Sequence, residues 1–151
     1  MTIEQKLNDL GYNLPKPVAP LAAYVPVTRS GNLLFVSGQL STGVDGLVKG
    51  HLGKDIDVDA GKKAAELCAV NILGQIAAIT SLENVTSILK LTVLVASAPD
   101  FTEQHLVANG ASELLINVLG EPAKHARAAF GVAALPLGAA VEIDAVVEIK
   151  S

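Results

Sequence analysis

From Val141 to Ile149 the chain alternates almost without a break. Val141, Ile143, Ala145, Val147 and Ile149 share one parity, while Glu142, Asp144 and Glu148 share the other. Side chains of a strand point alternately to its two faces, so this segment predicts a strand with one buried and one polar face. Ile88 to Val95 alternates only in part but is β-branched enough for a buried strand. Arg127 to Ala134 predicts another, joined to the last by a turn at Leu135-Pro136-Leu137-Gly138. Near the other end, Tyr24, Val25 and Val27 open a strand, Ser30-Gly31-Asn32 supplies turn chemistry, and Leu33 to Val36 resumes strand character: a hairpin. Ser37-Gly38-Gln39 closes its second strand, and Gly38 leaves room for a backbone or ligand to come close. Residues 41–54, with Gly43, Gly46, Gly50 and Gly53, predict a loop around a short strand at Leu47–Val48.

Helical spacing appears three times. Thr2 and Gln5 form a capping box ahead of Ile3, Leu7 and Leu10 on one face, with Gly11 as the stop. Asp57 caps a long helix to about Thr80, whose stripe is Ala64, Leu67, Cys68, Ile72, Ile76 and Ile79. Asp100 or Thr102 starts another through Leu119, with Leu106, Val107, Leu114, Leu115 and Val118 inward and Gly120 as the C-cap. Between the first helix and the hairpin, YNLPKPVAPLA carries Pro15, Pro17 and Pro20. It can hold neither a helix nor a central strand, and is expected to run extended over the surface. The order α, ββ(β), α, β, α, ββ predicts an α+β fold, a mixed sheet with helices on one face. It reads as a single domain over residues 1–151, with 1–19 as helix and proline-rich extension and 20–150 as core.

Composition changes this picture in three places. Half of the 151 residues are hydrophobic but only 3% are aromatic, so burial comes from many small side chains. A single Cys excludes an internal disulfide framework and suits a reducing compartment. A net charge of −4 disfavours non-specific binding to nucleic acid or membrane surfaces, which needs clustered Lys and Arg. MTIEQKLNDLGY lacks the apolar stretch of a signal peptide, and no apolar run reaches the roughly 18 residues of a spanning helix. The expectation is a cytoplasmic protein.

Most catalytic constellations fail on spacing. His51, His105 and His125 have neither metal-ligand spacing nor Cys partners. GHLGKD has Val48 where a phosphate loop needs its first Gly and Asp55 where it needs Ser or Thr. Ser37 lacks the flanking glycines of a nucleophile elbow, and Cys68 sits on an apolar stripe, where it packs. A small polar set remains. Arg127, between alanines, is either an exposed strand Arg paired with a surface acid or a fork for a carboxylate, and spacing leaves both open. Alternation alone accounts for Glu142, and Tyr24 fits an ordinary core-edge position. Asn109-Gly110 is unusual inside a helix, since both are poor helix formers.

The C-terminal run ARAAFGVAALPLGAAVEIDAVVEI resembles the signature of the RidA family, also called YjgF/YER057c/UK114. Upstream, AYVPVTRSGNLLFVSGQLS resembles that family's first hairpin, and Asp100-Phe101 and Asn109 fall where the family has them. The resemblance spans roughly residues 20–150. It implies a chorismate-mutase-like sheet backed by two helices, with the N-terminal helix and a longer loop near 43–56 marking a divergent subgroup. It also implies a homotrimer with ligand clefts between neighbours, and neither metal nor organic cofactor. Arg127 and Glu142 of one chain facing Tyr24 of another is the arrangement to be looked for.

The activity implied is hydrolysis of enamine or imine intermediates of the 2-aminoacrylate type to 2-keto acids and ammonia. In that reading Arg127 grips the substrate carboxylate, helped by the Gly38 backbone N–H with Ser37 beside it. Glu142 orients or activates water, or protonates the departing nitrogen. Tyr24 and Asn109 line the cleft. Ala129 stands where many members have Cys, so only backbone contacts can act there. Two other readings compete: a non-catalytic trimer that binds small carboxylate metabolites, and an endoribonuclease or translation inhibitor. The charge of −4 and the lack of a basic stripe argue against the latter.

Overall fold

The computed structural model describes residues 1–17 and 23–151. Of the proline-rich segment, Pro20 and its neighbours lie outside the described residues. The elements are α1 (Ile3–Asp9), β1 (Val27–Ser30), β2 (Leu33–Leu40), β3 (Thr42–Gly43), β4 (Gly46–Leu47), α2 (Val58–Ala77), β5 (Val85–Ala96), α3 (Gln104–Leu119), β6 (Ala126–Val132) and β7 (Val141–Ile149). Five strands form one mixed sheet in the order β1-β2-β7-β5-β6, and β3 and β4 make a small separate hairpin. Only β5 and β6 run parallel, because α3 carries the chain back between them, the crossover that parallel neighbours need.

Alternation in β7 decides which side of the sheet is covered. Val141, Ile143, Ala145, Val147 and Ile149 are buried, whereas Glu142, Asp144, Val146 and Glu148 are half-exposed. The buried set faces α2 and α3, which pack on the same side. The sheet's other side is open and carries Phe35 and Phe130, 43% and 47% exposed. The α+β class with helices on one face therefore holds.

The two helices approach closely through glycine. A Cβ on Gly110 would run into the backbone of Lys62 on α2, with the Lys62 carbonyl carbon 2.8 Å away. This is the physical reason for a glycine in the middle of α3, where it costs helix propensity. Helix α2 is buried nearly all round, since the N-terminal segment crosses its outer side. Pro15 packs on Gly74, and the Tyr12 hydroxyl donates to Glu66 Oε1 at 2.9 Å. Burial and then the Glu66 carboxylate push the Tyr12 phenol up to about 12. Helix α1 has the expected capping box: Gln5 N–H donates to Thr2 Oγ1 and Thr2 N–H to Gln5 Oε1. Leu7 anchors it, fully buried.

Several expected boundaries move. Strand β1 starts at Val27 instead of Tyr24, because Pro26 has no N–H to give a ladder and restrains Val25. Strand β2 does not end at Ser37-Gly38-Gln39 but runs on to Leu40 through a bulge. Val36 pairs Ala145 and Gln39 pairs Ile143, so Ser37 and Gly38 together oppose Asp144. Thr42–Leu47 forms a hairpin, with Val48 just beyond it. Helix α2 stops at Ala77, leaving Ile79 47% exposed, and α3 begins at Gln104. Leu10 caps α1 and stays 45% exposed instead of sharing the face of Leu7. Strand β5 is longer than Ile88–Val95, and β6 ends at Val132.

Candidate functional site

Arg127 lies on β6, the edge strand, paired in register with the fully buried Leu91. Its side chain therefore leaves on the helix side and meets α3. Nη1 donates to Asn109 Oδ1 at 2.9 Å and to Ser112 Oγ at 3.1 Å, and Nη2 donates to the His105 carbonyl at 3.2 Å. These three partners sit one helical turn apart on one face of α3, which is why a single guanidinium reaches all of them. Among the described residues no carboxylate forms an ion pair with Arg127, so the reading of a strand Arg neutralised by a surface acid does not apply. A guanidinium has five N–H donors. Three are engaged within the chain, which leaves Nε–H and one Nη2 proton for a ligand.

Glu142 lies on β7 and faces the open side. In register beside it are Leu40 on β2 and Leu94 on β5, and Phe130 lies beyond Leu94. Its side chain passes over Gly38, where a built Cβ would stand 2.8 Å from the Glu142 Cδ. The bulge at Ser37–Gly38 thus puts a residue without a side chain where the carboxylate needs room. Burial among these apolar neighbours, and then the charge of Asp144, raise the Glu142 carboxyl above its ordinary value.

Arg127 and Glu142 lie on opposite faces of one sheet. Leu91 and Leu94 are three residues apart in a regular stretch of β5, so their partners Arg127 and Glu142 point to opposite sides. The arrangement with Arg127 and Glu142 from one chain in one cleft is not what a single copy contains. Asn109 goes with Arg127; Gly38 goes with Glu142. Ser37 is half-buried and its N–H donates to the Pro26 carbonyl at 2.8 Å. Ala129 shares the parity of Arg127 and packs on the core in register with Val93. Tyr24 is 55% exposed ahead of β1, and its hydroxyl has no hydrogen-bond partner among the described residues. Cys68 is buried, its Sγ donating to the Val141 carbonyl at 3.4 Å; burial and the charge of Glu142 hold the thiol well above its ordinary range. That is a packing cysteine.

Two contributors escaped the sequence reading. Ser112 is three residues after Asn109, and His125 is two before Arg127. Helical i,i+3 spacing and strand parity would have placed both beside Arg127. In the sequence, spacing marks His125 only as a metal-ligand candidate without partners.

The Endoribonuclease L-PSP family profile matches residues 15–149. Protein TCP17 of Trypanosoma cruzi is 47% identical over 152 residues, covering 99% of this chain and 95% of that protein. The crystal structure of Atu1372 from Agrobacterium tumefaciens, of unknown function, superposes with a TM-score of 0.91 at 53% identity, over 99% of this chain and 94% of that one. RidA from an Antarctic Psychrobacter superposes with a TM-score of 0.54 at 27% identity, over 89% and 93%.

Proposed function

The chain belongs to the Endoribonuclease L-PSP family, the RidA/YjgF group, and on that premise we propose that it hydrolyses small 2-imino acids to 2-keto acids and ammonia. The observation that carries this is Arg127. A half-buried guanidinium with no acidic partner among the described residues, fixed by three hydrogen bonds and keeping two donors free, is an oriented fork for a carboxylate. Holding the substrate by its carboxylate leaves the C=N carbon to be met by water, and an imine is already electrophilic, so positioning supplies much of the rate.

Glu142 is the acid–base group. Its raised pKa suits a proton shuttle: it takes one proton from the attacking water and passes it to the nitrogen, giving a carbinolamine, then moves the hydroxyl proton to the same nitrogen, which leaves as ammonia. The C–O bond forms, the C–N bond breaks, and the keto acid remains on Arg127. Because Arg127 and Glu142 face opposite sides of the sheet, the complete cleft joins the Arg127 edge of one copy to the Glu142 face of the next. A closed ring of three copies gives three such clefts and covers Phe35 and Phe130. Tyr24, exposed ahead of β1, is free to line such a cleft. A cytoplasmic setting fits the single buried thiol. Within the described residues no helix is long and apolar enough to cross a membrane.

The test is release of keto acid from freshly generated 2-aminoacrylate by the wild type and by Arg127→Ala. Loss of turnover in the variant supports the clamp, and equal rates overturn it. Binding of 2-ketobutyrate without turnover by the wild type would instead make the protein a carboxylate carrier or sensor.

A further inference from the structure

We propose that Ser112 and His125 are positioning residues for Arg127, setting the direction in which its guanidinium meets a ligand carboxylate. This rests on the clamp role given to Arg127 above. Four groups form a chain. The Ala123 carbonyl lies 2.6 Å from His125 Nδ1; His125 Nε2 lies 2.9 Å from Ser112 Oγ; Ser112 Oγ accepts from Arg127 Nη1 at 3.1 Å. With the His125 ring neutral, each link has one polarity. A carbonyl can only accept, so Nδ1 carries the proton, and Nε2 of the neutral ring is an acceptor. The Ser112 hydroxyl must then spend its proton on Nε2, which turns its lone pairs toward Arg127.

Without His125 the hydroxyl has another use for that proton. A helical serine readily donates to the carbonyl one turn earlier, here Ala108, and its lone pairs then leave the guanidinium. The anchor of the chain is rigid. Ala123 is fully buried in a single tight turn at Glu121–Ala123, just ahead of β6. His125 and Arg127 share one parity of the same extended segment, and Ser112 and Asn109 share one face of α3. The relay therefore ties the strand to the helix at the level of the clamp. With Ser112 and Asn109 both occupying Nη1, the free donors are confined to the Nε and Nη2 side of the guanidinium. That confinement selects a planar, two-oxygen anion approaching along one edge.

The experiment uses the full chain and the variants Arg127→Ala, Ser112→Ala, His125→Leu, His125→Gln and the double variant Ser112→Ala/His125→Leu. Binding of 2-ketobutyrate is measured by calorimetry, and KM and kcat are measured on 2-aminoacrylate. Ser112→Ala and His125→Leu are each expected to weaken binding about tenfold and to raise KM more than they lower kcat, because the carboxylate is gripped in ground and transition state alike. The double variant should bind no worse than Ser112→Ala, since His125 acts through the hydroxyl. His125→Gln, whose amide oxygen can replace Nε2 as acceptor, should recover most of the loss.

Singles that add in the double variant, or singles that bind like the wild type while Arg127→Ala does not, overturn the relay. The recovery by Gln keeps the test sound if Leu at 125 does not fold. The binding measurement reads the relay even if the wild type turns nothing over, so failure of the deaminase reading is seen separately. Unchanged binding in Arg127→Ala would overturn the clamp and the relay together.

Discussion

The Glu142 side chain rests on the bare α-carbon of Gly38, in the space a Cβ would take. The contact is with the movable end of a flexible side chain, and Gly38 is not among the glycines with positive φ. Gly38→Ala should therefore fold, at the low end of the roughly 1–3 kcal/mol typical of overpacking. Its effect falls on the carboxylate, which must swing away. We expect a small drop in Tm by calorimetry and at least a tenfold loss of imino acid turnover. A wild-type rate would mean that the position of Glu142 does not matter.

Asp144 sits two residues from Glu142 on the same face, and its charge helps hold the Glu142 carboxyl high. If Glu142 works as the ionised base, turnover rises as pH climbs through its titration. Asp144→Asn removes one of the raising causes and should move that acidic limb to lower pH. Rate–pH profiles of the two proteins, run side by side, check the direction.

The same raised carboxyl carries a stability signature. A Glu whose folded pKa lies above its unfolded value favours the folded state most below the unfolded value, and that advantage disappears as pH rises through the folded pKa. Glu142→Gln should therefore gain Tm relative to the wild type on going from about pH 4 to neutral pH, while losing turnover. The gain is modest for a half-exposed group. A difference independent of pH would contradict it.

The proposed cleft, shared by two copies, allows complementation. Arg127→Ala and Glu142→Gln should each be inactive alone. Mixed and reassembled through denaturant, each mixed ring of three contains one interface with both residues intact. About a quarter of all clefts would then be competent at equal mixing. Activity regained on mixing is the expected outcome, and its absence would place both residues elsewhere.

Phe130, 47% exposed on the open sheet face, is the place to test what that face does. Phe130→Asp should yield a smaller species by light scattering and lose turnover together with assembly, since an unpaired charge cannot be buried there cheaply. A variant of unchanged size would show that the face is free in solution.

Some of this was legible in the residues. Near-complete alternation in β7, broken only at Val146, identified its buried and exposed sides, and Thr2 with Gln5 announced α1, because each rests on a local rule. Asn109-Gly110 was visible as an oddity and resolved into two purposes: Gly110 lets the helices touch at Lys62, and Asn109 turns to Arg127. The division of Arg127 from Glu142 was not legible. Strand β6 carries small residues on both parities, Ala126 and Ala128 against Ala129 and Gly131, so nothing in it says which side faces the helices. Its register with β5, a parallel pairing formed across a whole helix, settles the matter, and no local pattern encodes it. Tyr24 was misplaced for a simpler reason, the missing amide of Pro26.

Setting the two charged groups on opposite sides of one sheet also ties chemistry to abundance. A layer of backbone and side chains separates them, and a substrate only a few atoms long cannot touch both through it. On the proposed mechanism a lone copy is inert by geometry, and turnover per copy depends on how many copies are present. Dilution should silence the protein before it unfolds, and a cell making too little of it would hold folded but idle chains.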